Sequence, residues 1–155
     1  MPLFRFGLLA LLFWLLAASS SFAQPAGRAE IPVGTVKRLS GTALVERQGA
    51  RLPAAVGMVL LREDRIVTGQ PGAVGITLVD DTLLSIGSGT QLELSDVQFD
   101  TTTHGGRVWL RLIKGAMHMI TGLVAREAPQ NVRIETPTAV MGVRGTEFLI
   151  DTRDE

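Results

Sequence analysis

Few residues in this 155-residue chain have the type and spacing that chemistry requires. His104 and His118 have no neighbouring cysteine and no His-x-x-x-His spacing, so the ligand set for a zinc ion is not assembled from sequence. Ser88 stands between Gly87 and Gly89 but lacks the outer glycines of the Gly-x-Ser-x-Gly elbow that exposes a nucleophilic serine, and reads as a turn. Gly142-Val143-Arg144-Gly145-Thr146 has glycines and a hydroxyl but no lysine, so it cannot work as a phosphate-cradling loop. Asp80 and Asp81 offer oxygens for calcium without the regular acidic spacing that six to eight ligands demand, and are expected in a solvated hairpin turn. No catalytic, cofactor or metal site is expected, and the chain is not read as an enzyme.

The remaining charged residue of interest is Arg144, inside a corner. One reading makes it a surface contact for a partner. The favoured reading makes it a buried fork, bonding turn carbonyls or the carboxylates of Glu135 or Glu147 through its five donors. Around it, Thr136-Pro137 ends a strand begun by Val132 and Ile134, because proline has no backbone donor and pushes the residue before it to an extended conformation. Gly142 and Gly145 are expected at positive φ, turning the chain into Phe148-Leu149-Ile150. Thr136, Pro137, Thr138, Gly142, Arg144, Gly145 and Thr146 are therefore the candidate motif residues, structural or partner-contacting. The hydroxyls of the three threonines suit backbone bonds in turns.

Thr-Pro-Thr-Ala-Val-Met-Gly-Val-Arg-Gly-Thr-Glu-Phe, with Leu112-Ile113-Lys114-Gly115 and Ile120 to Ala125 upstream, resembles the signature of FecR-type periplasmic domains over roughly Val33 to Ile150. Where that family's turn often reads Asp-Gly-Ser or Asp-Gly-Thr, this chain has Asp80-Asp81-Thr82. The resemblance implies a modified β-solenoid and further strands past Ile150. In the family such a domain follows a cytoplasmic segment that handles a sigma factor and a membrane span. Here a signal peptide stands in their place, so sigma-factor regulation does not carry over.

That leader is Met1 to Ala23: Arg5, a 12-residue apolar stretch from Gly7 to Ala18, and Ser21-Phe22-Ala23 as a cleavage site. The apolar stretch is too short to span a bilayer as an uncleaved helix. Export to the periplasm and cleavage before Gln24 are expected, leaving 132 residues, one domain, with no membrane span. The 14 basic against 15 acidic side chains that remain give no footprint for nucleic acid. Four of six phenylalanines and one of two tryptophans leave with the leader, so the core has to be aliphatic, and with no cysteine it holds without disulfides.

Residues 24 to 32 read as a disordered lead-in and 33 to 155 as one all-β domain. Short strands alternate with turns at Ser40-Gly41, Gln48-Gly49, Gly69 to Gly72 and Gly87 to Gly89, and a polar loop is expected from Ser95 to Gly106. Val108, Leu110 and Leu112 share one strand face. Leu123 to Ala128, stopped by Pro129, is the only helical candidate. This spacing fits a solenoid of short strands or a two-sheet sandwich. The function expected is a non-enzymatic envelope-signalling module that binds an envelope protein. The alternative, a glycan- or cell-wall-binding module, has only Trp109 as a stacking platform. The strand Glu147 to Asp151 is expected to be an open edge that pairs with a second copy or a partner strand.

Overall fold

The computed structural model describes residues 30–152, so the leader and most of the lead-in lie outside the described residues. Eleven strands join one sheet, which curls into a half-barrel. The all-β class holds, and two separately bonded sheets do not form among the described residues. In chain order the strands are β1 Pro32–Arg47, β2 Ala50–Pro53, β3 Val59–Leu61, β4 Arg65–Leu78, β5 Leu83–Ile86, β6 Gln91–Phe99, β7 Gly106–Lys114, β8 Ala116–Ile120, β9 Val132–Glu135, β10 Val140–Gly142 and β11 Glu147–Asp151. The helix α1, Leu123–Glu127, is where the sequence predicted it, and a 3-10 turn Pro129–Asn131 follows. Across the sheet the order is β10-β9-β7-β6-β4-β5-β8-β11, with β1 paired to β4 and carrying β2 and β3.

Two expected turns are bends inside long strands. Ser40-Gly41 does not end β1, and Gly69 to Gly72 does not end β4. The strands stay paired through both points, with Gly41 opposite Gly72 and a register shift between Gly41 and Ala43. The backbones come so close that a Cβ on Gly41 would strike the Pro71 carbonyl and one on Gly72 the Thr42 carbonyl. Gly41 also has φ +66°. Glycine is the residue that tolerates both conditions, and a bulge here bends the pair rather than ending it. Turn chemistry was read correctly from these residues, but its partner strand was invisible.

The bend has a topological consequence. Below it, Arg65 to Val67 pair with β6; above it, Val74 to Thr77 pair with β5. One strand thus belongs to two halves of the curl. Between them lies an aliphatic core in which Ile66, Ile76, Leu84, Leu92, Leu110 and Met119 are almost wholly buried. Val108, Leu110 and Leu112 face inward together, as their period-2 spacing predicts. Met117 and Met119 also face inward, and His118 between them faces out.

The expected loop from Ser95 to Gly106 is shorter than predicted. Ser95 to Phe99 extend β6, pairing Asp96 with Trp109 and Val97 with Val108. Polar residues on an outward strand face look like loop in sequence; here Val97 is buried and Phe99 packs against the core. Asp100 then caps the connection by accepting from the amides of Thr102 (2.8 Å) and Thr103 (3.2 Å), which holds its carboxyl below the usual range.

Candidate functional site

Among the described residues, His104, His118 and Ser88 each make a separate local contact. No cluster of three metal-ligating side chains occurs among the described residues. His104 stacks on Phe99, with ring centroids 6.2 Å apart, and His118 Nε2 lies 2.7 Å from Glu147 Oε1. Ser88 Oγ donates to the Gly72 carbonyl (2.8 Å) and accepts from the Gly72 amide (3.2 Å), locking the bend in β4.

Asp80 is not in a solvated turn. It is fully buried, accepting from Thr82 Oγ1 at 2.9 Å and from the Thr82 amide at 3.2 Å. Its backbone carbonyl accepts from Leu123 N at 2.7 Å, and Thr82 Oγ1 from Gly122 N at 3.0 Å. The turn between β4 and β5 is therefore latched to the entrance of α1. Sequence reasoning saw two adjacent acids and missed the chain packed over the first.

The candidate motif residues form the link between the two ends of the sheet. Thr136 and Ala139 close the β9–β10 turn: Thr136 N donates to Ala139 O (2.8 Å) and Ala139 N to Thr136 Oγ1 (3.0 Å). Pro137 and Thr138 lie exposed at its tip. Gly142 ends β10 with open space where a Cβ would stand and no positive φ, so the expected demand for glycine there is not found. Gly145 does meet it, at φ +128°. The Gly145 carbonyl accepts from Thr121 Oγ1 (3.2 Å) and the Thr146 carbonyl from Thr121 N (2.9 Å). Thr146 serves through its carbonyl.

Arg144 departs from the favoured expectation. Its side chain is exposed and makes no hydrogen bond or ion pair among the described residues, whereas Val143 beside it is buried. The alternating pattern of the corner turns the valine in and the arginine out, and Thr121 supplies the donors that the fork was expected to supply. Arg144 is available as a contact.

β10 and β11 are the two ends of the sheet order. Following the pairings from one end to the other, both run in the same direction, so Val143 to Thr146 carry the chain from one edge of the curl to the other. Among the described residues the strand that β11 pairs with is β8, in an unbroken register from Glu147↔Ile120 to Asp151↔Ala116. Phe148 and Ile150 pack against the core, and Leu149 is 69 % exposed. Ile120 and Leu83, in the adjoining strands, are also exposed. Apolar side chains thus continue inward from the open edge over the outer face of β8 and β5.

The opposite half of the outer face carries a ladder that sequence reasoning did not find. Arg51, Glu46, Arg65, Glu93, Arg111 and Glu135 occupy facing positions on six strands. Successive pairs approach to 3.0, 3.7, 3.1, 3.5 and 3.2 Å. Trp109 lies in this half, with Arg107 Cζ 4.7 Å and Arg133 Cζ 5.0 Å from its ring centroid. Arg47, next to Glu46 in sequence, holds the buried Asp64, next to Arg65, in a two-pronged pair, Nε to Oδ1 at 2.9 Å and a terminal nitrogen to Oδ2 at 2.7 Å. Asp64 also accepts from Leu61 N at 2.8 Å. Alternating signs scattered across the sequence carry no signal until the strand pairing is known.

Residues 64–155 match the family described as FecR protein. A solved structure described as "Cell surface anchoring domain" is 27 % identical, covering 43 % of this chain and 88 % of that one, with a TM-score of 0.41. No curated protein matches. Among the described residues, no helix is long and apolar enough to cross a membrane.

Proposed function

This chain belongs to the FecR protein family, and from that membership together with the open β11 edge we propose that it is a non-enzymatic, protein-binding module of the bacterial envelope. The family consists of signalling regulators rather than enzymes, which supports the first part of the reading. The observation that carries the second is β11 itself: a strand paired on one side among the described residues, with Leu149 exposed and Ile120 and Leu83 exposed on the adjoining strands. Unsatisfied ladder groups beside exposed apolar surface suit a polypeptide partner. Thr136 to Thr146 position that strand by anchoring the chain on Thr121, and Arg144 adds an exposed donor beside it.

The reading includes export through the leader Met1 to Ala23, a mature protein starting at Gln24 in the periplasm, and a domain from Val33 onward wound as a modified solenoid. N-terminal sequencing of the exported protein checks the first of these; Met1 as the first residue argues against it. A glycan-binding module is the weaker reading, because the single tryptophan that would stack on a sugar already has two guanidinium groups over its ring.

Site-specific photocrosslinking in intact cells tests the function. A crosslinker at Leu149 should yield a protein adduct, and one at Arg111, in the ionic ladder, should not. Adducts from both positions alike, or none from Leu149 while the protein is retained on cell-wall polysaccharide, would count against it.

A further inference from the structure

Gly142 has no positive φ, and a Cβ at that position would meet nothing within 4 Å. It pairs with Arg133 of β9, and residues facing each other across an antiparallel ladder raise their side chains on one face, so the space beside the Arg133 side chain is open. Arg133 is exposed, with Cζ 5.0 Å from the Trp109 ring centroid, and makes no hydrogen bond or ion pair with a described residue. Contact with a ring draws on the cation and orients it, while the fork of N–H donors stays available to an acceptor. Arg144, equally unbonded among the described residues, follows Gly142 by two positions.

Two residues of chain reach at most about 7 Å and paired Cα atoms stand about 5 Å apart, so Arg133 and Arg144 rise from backbone positions within about 12 Å of each other. Two side chains of that length close on one ligand between them. The acids of the same segments are engaged elsewhere, Glu135 with Arg111 at 3.2 Å and Glu147 with His118 at 2.7 Å. Two positive charges thus stand without a counter-charge among the described residues, at one end of the sheet order. A carboxylate carries one charge and matches one guanidinium fork. A terminal phosphate carries close to two at neutral pH, with three acceptor oxygens, and matches two. We propose that Arg133 and Arg144, across the bare position of Gly142, bind a terminal phosphate group, as the free ion or as a monoester. The site does not depend on what pairs with β11.

Titration of the full exported chain, followed by amide NMR shifts, tests this. Methyl phosphate should bind about tenfold more tightly than the singly charged dimethyl phosphate, as one further charged contact is gained. The largest shifts should fall from Gly142 to Arg144. Affinity should decline as the pH drops through about 6, where the monoester takes up a proton. Arg144→Gln should weaken methyl phosphate about tenfold with no change in thermal unfolding. Gly142→Leu fills the space beside Arg133 without demanding a new backbone conformation, so the fold should persist while binding is lost.

Two further probes identify the source of the phosphate. Binding of inorganic phosphate or a sugar phosphate in solution, without retention on vesicles, assigns a soluble ligand. Retention on phosphatidylcholine vesicles only when they contain phosphatidic acid, and its loss in Gly142→Leu, assigns a lipid headgroup. Equal affinity for methyl and dimethyl phosphate overturns the proposal, as does undiminished binding by Gly142→Leu or Arg144→Gln. So does the absence of shifts at millimolar methyl phosphate. The photocrosslink at Leu149 is read separately, so failure here leaves the protein-binding module standing.

Discussion

On one half of the outer surface, across β2, β1, β4, β6, β7 and β9, every charge of the ladder faces its opposite on the next strand. On the other half, across β5, β8 and β11, the facing rows are Leu83, Ile120, Glu147 and then Ser85, His118, Leu149. The same bent strand, β4, supplies both halves. Cross-strand charge pairs satisfied within the molecule leave little for another molecule to recognise. Among the described residues the second half has a single pair of this kind, His118 with Glu147 at 2.7 Å, beside the exposed Leu83, Ile120 and Leu149. The difference separates a surface knit together by cross-strand charge pairs from one that is mostly apolar and lies at the end of the sheet order.

The largest effect expected is at the buried anchor of the ionic half. Asp64→Ala strips Arg47 and the Leu61 amide of their acceptor, and should cost about 3 kcal/mol in a denaturant titration, in the range for breaking a charged, largely buried pair. A loss as small as that of an exposed charge would mean that the ladder half is not anchored there. Next comes Gly145→Val, which forces a β-branched residue to a φ of +128° and should cost about 2 kcal/mol. Because that turn leads into β11, hydrogen exchange should quicken in β11 and not in β6. Quickening in both would blur the distinction between the halves.

Glu93→Gln sharpens the comparison at a smaller scale. Glu93 meets both Arg65 and Arg111, so its loss should lower stability by about 1 kcal/mol at low salt and by less at high salt. Leu149→Ser, in the other half, should change stability by under about 0.5 kcal/mol at either salt concentration, since its side chain is mostly in water already. Equal salt dependence in the two variants would break the contrast. The smallest effect expected is for Arg144→Lys: no measurable shift in thermal unfolding, because the exposed guanidinium bonds nothing among the described residues.

How far these halves are legible in the sequence depends on the distance over which a signal acts. Alternation in Val108 to Leu112 and proline at 129 act within a few residues, and they gave the inward face of β7 and the limit of α1 correctly. Glycines at 41 and 69 to 72 signalled sharp backbone geometry, but whether such geometry ends a strand or bends it depends on what lies opposite. Arg144 and Asp80 were misjudged for the same reason. Burial of Asp80 follows from Gly122 and Leu123, which meet its turn from far along the chain, and Arg144 was displaced from its expected role by Thr121, just past the end of β8. The strand β11 was readable because Phe148-Leu149-Ile150 alternates. The ionic ladder was not readable at all, since its members lie up to 28 positions from the partners they touch.

The pairing of β1 with β4 also has a practical bearing on how the domain is cut out of the chain. The family match begins at Asp64, yet β1 covers β4 from Gly34↔Leu78 to Glu46↔Arg65 and brings Arg47 to Asp64. A fragment started at the first matched residue would strip one whole side of β4, expose a long aliphatic edge and orphan a buried carboxylate. Such a fragment should come out of cells as aggregate. The stretch that sequence comparison recognises is thus shorter than the stretch that must be translated together to fold, and a workable truncation starts ahead of Pro32.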